Sequence, residues 1–192
     1  HFMAKEIAEQ PTVLGTALHH YVRDGAIALP EGVDFAHVDR LTMVACGTAF
    51  YACQTAKYWF ESLAGLPCEV DIASEFRYRE PPLPLRSVAL FVSQSGETAD
   101  TLAALRHCHG KVDRVLSVVN VTTSTIARES DIALPILAGI EVGVASTKAF
   151  TCQLAVLLLL ALKAGVDRGR IGPEALAGHL AELATLPGLM NQ

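Results

Sequence analysis

Short apolar runs recur through the middle of the chain and are separated by amphipathic stretches. Each run is four to six residues long and rich in Val, Leu and Ala. The runs show little alternation between apolar and polar positions, which is typical of strands that are covered on both faces. They predict five strands, at residues 41–46, 68–72, 88–92, 115–119 and 131–134.

The stretches around these runs have the spacing of helices. They predict helices at about residues 49–63, 98–109, 124–129 and 146–163, one more at the start of the chain, and one beginning at Gly172-Pro173. The longest apolar run, residues 154–162, is shorter than the roughly 20 apolar residues that a bilayer span needs. It therefore predicts a helix that is buried on most of its surface, and we expect no membrane segment.

Strands that alternate with helices imply right-handed crossovers. The pattern predicts an α/β fold, a doubly wound parallel sheet of about five strands flanked by helices. We expect residues 1–192 to form a single domain, because this length suits one buried core. The chain begins at His1 and not at a methionine, and Leu186-Pro187-Gly188 reads as a connection leading elsewhere. We therefore expect it to be a piece of a longer protein.

Composition and charge limit the kinds of ligand that the chain can bind and indicate its cellular compartment. The formal net charge is −5 and the fifteen Lys and Arg residues form no basic run, so we expect no nucleic-acid surface. An anionic ligand would have to be bound by local donors. The five cysteines have irregular spacings and no CxxC, which is typical of reduced thiols in the cytoplasm. The triplet His107-Cys108-His109 predicts no metal site, because neighbouring side chains on a helix diverge by about 100°.

Ligands of doubly wound sheets bind at the carboxyl ends of the strands, so we expect the binding residues in the segments that follow the strands. The third predicted strand is followed by Ser93-Gln94-Ser95-Gly96-Glu97-Thr98, which leads into a helix. Exposed N–H groups and the positive end of a helix favour a dianion there, and three hydroxyls add donors. An ordinary helix cap would need only one hydroxyl. The segment therefore predicts a phosphate-binding loop, and a nucleotide is less favoured because neither GxxxxGK[ST] nor GxGxxG occurs.

Three other strand ends carry polar residues. Cys46-Gly47-Thr48-Ala49 follows the first strand; it fits a ligand contact and a plain turn with a helix cap about equally well. Residues 120–125 follow the fourth strand, and plain capping is the better interpretation there. After the fifth strand, Gly143 permits close backbone approach, Ser146 or Thr147 can cap the long helix, and Lys148 can add a charge.

No set of catalytic residues emerges from the spacing of acids, bases and nucleophiles. Glu97 reads as a first-turn glutamate that favours the dipole of its own helix. Glu75 and Arg79 are four residues apart and can pair on a helix face, in a segment that we interpret as structural or subunit-facing.

At these loops the chain resembles the isomerase half of the glutamine–fructose-6-phosphate aminotransferases, the glucosamine-6-phosphate synthases. Within that half it is similar to the first of two sugar isomerase (SIS) domains. The matching segments run in order from residue 1 to about residue 155: HFMAKEIAEQP, ACGTA, ASEFRYR, SQSGETADT, STIARESD and GVASTKAFT.

The resemblance implies a ligand and the residues that bind it. The family makes glucosamine 6-phosphate and glutamate from fructose 6-phosphate and glutamine, in the cytoplasm, without a metal or other cofactor, and it suggests a homodimer. By motif, the phosphate would be held by Ser93, Gln94, Ser95 and Thr98. The sugar would be lined by Gly47, Thr48, Val144, Ala145 and Ser146. Ala49 stands where other members of the family have a serine, so one hydroxyl contact would be missing.

The same resemblance places the chemistry outside this chain. The cysteine nucleophile of the glutaminase would lie upstream, and the glutamate, lysine and histidine that open the ring would belong to the second SIS domain. We therefore expect this chain to bind the sugar phosphate without turning it over. Two alternatives stay open: a non-catalytic SIS sugar-phosphate sensor, and a related phosphosugar isomerase or deglycase.

Overall fold

A computed structural model describes residues 1–192 and contains seven helices and seven strands. The strands are β1 Val22–Arg23, β2 Ala26–Ile27, β3 Arg40–Ala45, β4 Cys68–Ile72, β5 Ser87–Ser93, β6 Arg114–Val119 and β7 Ile132–Pro135. The helices are α1 Phe2–Tyr21, α2 Gly47–Ala64, α3 Ala73–Arg79, α4 Ala99–Cys108, α5 Thr125–Glu129, α6 Lys148–Asp167 and α7 Pro173–Leu189.

The five longer strands form one parallel sheet in the order β4-β3-β5-β6-β7. The predicted α/β fold and its strand number are therefore confirmed, and each predicted strand agrees with an observed one to within one residue at either end. A short antiparallel pair, β1 and β2, was missed. Its turn residues, Asp24 and Gly25, both have positive φ, and an Asp-Gly pair is the sequence signal for such a hairpin.

Alternate residues of the central strands point into two separate cores. Met43 and Leu90 pack into the larger core, which lies between the sheet and the layer of α1, α2, α6 and α7. Val44 and Phe91 pack into the smaller core, under α3, α4 and α5. Because both faces of the sheet are covered, the central strands are apolar at most positions.

Helix α6 lies inside the larger core. By length and composition it is the one helix that could cross a membrane, but 67% of its most apolar stretch is buried inside the structure. The predicted helix that is buried on most of its surface is therefore confirmed, although it begins at Lys148 and not at Ser146.

The segment at residues 186–188 was predicted to be a connection, and this is wrong because α7 continues through it. Leu180 and Leu183 anchor α7 in the larger core. Pro187 follows one turn later, and its ring lies beside Gly15 of α1. A proline in the last turn of a helix removes only one hydrogen bond there, so packing against α1 keeps this turn helical.

The predicted pairing of Arg79 with Glu75 is also wrong. The guanidinium of Arg79 donates to Asp71 (2.9 Å) and to Glu69 (2.6 Å) on β4. Because β4 leads directly into α3, both carboxylates lie within reach of the end of this helix.

The strand order also creates a crevice. From β3 the chain crosses by α2 to β4 on one side, and it then returns to β5 on the other side of β3. The segments after β3 and β5 therefore diverge at a switch point, which is where ligands bind in sheets of this topology.

Candidate functional site

A pocket of about 440 Å³ opens at this switch point. It is bordered by the segments after β3 and β5 and by the segment before α6. All nine residues predicted to hold phosphate or sugar line it: Gly47, Thr48, Ser93, Gln94, Ser95, Thr98, Val144, Ala145 and Ser146. Four further lining residues were not predicted to bind: Cys46, Ala49, Val92 and Gln153.

No charged side chain lines the pocket. Lys148, which was expected to be able to add a charge, is instead buried and donates to Glu9 of α1 at 2.8 Å. This hydrogen bond lowers the pKa of the Glu9 carboxyl. An anion in the pocket would therefore be bound by neutral donors.

The segment at residues 93–98 supplies hydroxyl donors. Ser93 Oγ accepts the Gly96 N–H at 3.0 Å and lies 3.3 Å from Thr98 Oγ1. Ser95 Oγ accepts the Glu97 N–H at 3.2 Å. A hydroxyl that accepts a hydrogen bond still has its own proton to donate. The segment is therefore held in shape by its hydroxyl oxygens while their protons stay free for a ligand or for one another.

Two helices present N-termini without a side-chain cap to the pocket. Thr98 is the N-cap of α4 and Cys46 is the N-cap of α2, and neither side chain makes a capping hydrogen bond. Gly47 adopts a φ of +59°, which lets the backbone turn directly from β3 into α2. The first-turn N–H groups and the positive ends of both helices favour an anion between them.

Gly96 lets the phosphate-binding segment lie against α5. Its φ is +66°, and a Cβ at this position would lie 2.0 Å from Ser124 Oγ. The Gly96 carbonyl also accepts the Ile126 N–H at 3.0 Å. No residue with a side chain would fit here without moving α5.

Glu97 caps α5 and not α4, so the expectation that it favours the dipole of its own helix is wrong. Its carboxylate accepts the Thr125 N–H at 2.7 Å, which lowers the pKa of Glu97. Ser124 also caps α5 by accepting the Ala127 N–H, as the plain-capping interpretation of residues 120–125 predicted.

The N-terminus of α6, in contrast, is capped by the side chain of Glu141. Its carboxylate accepts the Thr147 N–H (2.9 Å) and the Ser146 hydroxyl (3.1 Å). The prediction that Ser146 or Thr147 caps this helix is therefore wrong. A carboxylate carries a full negative charge, which interacts more favourably with the helix dipole than a hydroxyl does.

Helix α1 holds the residues that directly precede the pocket-lining residues 144–146. Glu6 is only 3% exposed, and its carboxylate accepts the N–H groups of Val142 (2.6 Å) and Gly143 (3.1 Å). A Cβ on Gly143 would lie 2.5 Å from Glu6 Oε2. The close approach expected at Gly143 is therefore made by Glu6. No short-range pattern in the sequence indicates this contact.

Two other depressions lack convergent polar groups of this kind. One, of about 560 Å³, lies on the exposed face of α2 beside Tyr51, Tyr58 and Val70. The other, of about 240 Å³, is a largely apolar groove between α1 and α7. At the switch-point pocket, in contrast, the hydroxyls of residues 93–98 lie beside the N-termini of two helices, α2 and α4.

Solved structures share this fold. The C-terminal domain of the glucosamine-fructose-6-phosphate aminotransferase from Francisella tularensis superposes with a TM-score of 0.95 at 40% identity, covering 98% of this chain and 55% of that one. The glucosamine-6-phosphate deaminase from Thermotoga maritima superposes with a TM-score of 0.74 at 23% identity, covering 98% of this chain and 54% of that one. At that identity the second likeness concerns the fold alone.

Curated relatives match nearly the whole chain. A glutamine--fructose-6-phosphate aminotransferase [isomerizing] from Bradyrhizobium diazoefficiens is 57% identical over 99% of the chain, and one from Rhizobium meliloti is 55% identical over 100%. The chain spans about a third (32%) of the length of either relative. The SIS domain family model matches residues 34–163, which include β3 to β7 and all thirteen pocket-lining residues. The chain therefore belongs to the SIS domain family.

Proposed function

We propose that this chain is the sugar-phosphate-binding SIS domain of a glucosamine-6-phosphate synthase. The longer protein would make glucosamine 6-phosphate and glutamate from fructose 6-phosphate and glutamine, in the cytoplasm and as a homodimer. One observation carries the proposal: the nine residues expected to bind phosphate and sugar, which come from three separate segments, line a single pocket.

The phosphate end of the pocket is residues 93–98. Ser93, Ser95 and Thr98 each offer a hydroxyl, and the N-termini of α2 and α4 add N–H donors and partial positive charge. A hydrogen bond to a charged acceptor is worth about 1.5–3 kcal/mol, so several together can hold a dianion without a lysine or arginine. This accounts for phosphate binding by a chain whose net charge is −5.

The remaining pocket volume fits the sugar. A cavity of about 440 Å³ lies within the range of small-molecule sites and is much larger than a phosphate ion needs. Gly47 and Thr48 lie on one side of it, and residues 144–146 lie on another.

We assign no catalytic role to the pocket-lining residues. None of them is a carboxylate, histidine or lysine, the groups that most often transfer protons in enzymes. Ring opening and proton transfer would therefore be carried out by parts of the longer protein outside this chain, and the chain alone would bind without turnover.

The curated relatives favour the synthase over the two alternatives, a sugar-phosphate sensor and a phosphosugar isomerase or deglycase. Eight of the curated relatives, at 55–57% identity, all carry the aminotransferase name. The sequence of the longer protein tests this choice, because a glutaminase domain that starts with a cysteine after the initiator methionine belongs to the synthase.

Calorimetric titration of the chain with fructose 6-phosphate and glucosamine 6-phosphate tests the binding site. We expect Ser95→Ala to weaken binding about tenfold or more, which corresponds to the loss of one charge-assisted hydrogen bond. Ser62→Ala is the matched control, because Ser62 lies exposed on α2 and bonds only backbone carbonyls of its own helix. No heat with either sugar phosphate at millimolar concentration, or equal affinities of both variants, would contradict the proposal.

A further inference from the structure

Gln153 is a buried polar residue at the switch-point pocket. It lies on α6 in the larger core layer, is 1% exposed, and is one of the pocket-lining residues. Its neighbours along the helix, Cys152 and Leu154, are apolar. No spacing or motif in the sequence marks this position as a ligand contact.

The amide oxygen of Gln153 has no hydrogen-bond partner in the protein. A buried amide group without a partner costs about 1–3 kcal/mol. The other unpartnered buried side-chain atoms belong to Thr42, Arg77, Thr101, Ser117 and Thr147. None of those five residues lines the pocket. Gln153 Oε1 is thus the one unpartnered buried side-chain atom that belongs to a pocket-lining residue.

The chemistry of this acceptor excludes the phosphate as its partner. A carbonyl oxygen needs a donor, whereas a phosphate monoester near neutral pH has mostly lost its second proton, whose pKa is about 6. The hydroxyls of a sugar are donors. Resting on the function proposed above, we propose that Gln153 Oε1 accepts a hydrogen bond from a hydroxyl of the bound sugar phosphate, and that Gln153 is therefore a specificity-determining residue.

The proposal divides the pocket into two ends of opposite polarity. Residues 93–98 donate hydrogen bonds to the phosphate, while Gln153 accepts one from the sugar. Inorganic phosphate would satisfy only the first end. A polyhydroxylated phosphate would satisfy both, and the penalty of the unpaired amide would be relieved on binding.

The test compares two ligands on wild-type chain and on Gln153→Met, whose side chain has a similar volume and no acceptor of this strength. We expect affinity for fructose 6-phosphate to fall about tenfold and affinity for inorganic phosphate to stay within about twofold. The melting temperature of the unliganded variant should stay the same or rise, because an unpaired buried amide is removed. Gln54→Met, on the exposed face of α2, is the matched control.

Separate outcomes test the two proposals. Wild-type chain that binds no fructose 6-phosphate would refute the proposed function. Wild-type chain that binds it while Gln153→Met binds it equally well, or loses both ligands by the same factor, would overturn only the role of Gln153. If Gln153→Met does not fold, Gln153→Leu replaces it.

The side-chain amide signal of Gln153 in ¹⁵N-labelled wild-type chain gives a second measurement. It should shift with fructose 6-phosphate and not with phosphate; equal responses to both ligands would also overturn the assignment.

Discussion

The contact between Glu6 and the segment at residues 142–146 gives the prediction that the structure defines most sharply. The Glu6 carboxylate is 3% exposed and accepts the N–H groups of Val142 and Gly143. Two charge-assisted hydrogen bonds at about 1.5–3 kcal/mol each set an upper limit of about 3–6 kcal/mol. Val142 is 56% exposed, so water can replace part of this once the carboxylate is removed. We therefore expect Glu6→Ala to lower the free energy of unfolding by about 3 kcal/mol.

Two companion variants separate the charge from other effects of the substitution. Glu6→Gln keeps one acceptor oxygen for both N–H groups but makes neutral hydrogen bonds, so we expect a loss of about 1–2 kcal/mol. Glu182→Ala removes an exposed glutamate from α7 and should change stability by no more than about 0.5 kcal/mol.

Thermal unfolding and hydrogen exchange check this ranking. A loss of about 3 kcal/mol should lower the melting temperature by about 6–12 °C in a chain of 192 residues. The amides of Val142 and Gly143 should exchange faster in Glu6→Ala, and fructose 6-phosphate should bind more weakly because this segment lines the pocket. Unchanged melting together with unchanged exchange at both amides would refute the reasoning.

Three further predictions follow from single contacts. Gly47→Ala, at a positive φ with open space around it, should cost about 1–2 kcal/mol in urea unfolding. Gly96→Ala has a similar φ and its Cβ would also clash with Ser124, which adds about 1–3 kcal/mol, so its loss should be about 2–5 kcal/mol. Equal losses would contradict this. Cys46 is half-buried and lines the pocket, whereas the other four cysteines are buried. A thiol reagent should therefore modify Cys46 first, and a sugar phosphate bound in the pocket should slow this reaction. Modification of all five cysteines at one rate would contradict this. The lowered pKa of Glu97 contributes stability that is present above its ordinary pKa of 4.5 and is lost as the pH falls through the lowered value. Wild-type chain should therefore exceed Glu97→Gln in stability at pH 7, and the difference should shrink as the pH falls below 4.5. A constant difference would argue against the contact with Thr125.

The sheet could be predicted because its strands are covered on both faces. Residues such as Leu90 and Phe91 point in opposite directions yet are both fully buried, so the strand appears in the sequence as a short continuous apolar run. The switch-point pocket could also be anticipated, because the rule that ligands bind at strand ends needs only the order of elements along the chain.

The contacts that shape the pocket could not be predicted, because they join distant residues. Glu6 reaches Val142 across 136 positions, and Lys148 reaches Glu9 across 139. Local spacing offered hydroxyl caps for α6, whereas the folded chain uses Glu141. At α6 the capping group is a longer, charged side chain six residues before Thr147, in place of the hydroxyls that short-range rules favour.

Gln153 shows a different limit of sequence reasoning. A polar residue in a largely apolar helix looks like a tolerated exception until the fold shows which side of α6 borders a cavity. Its unpaired oxygen is visible only once every buried polar atom has been assigned its partners.

The most direct test of the central claim is a crystal structure of the chain soaked with glucosamine 6-phosphate. We expect the phosphate to lie within hydrogen-bonding distance of the hydroxyls of Ser93, Ser95 and Thr98, and the sugar to extend toward residues 144–146. A phosphate bound elsewhere, for example in the depression beside Tyr51 and Tyr58 on α2, would contradict it.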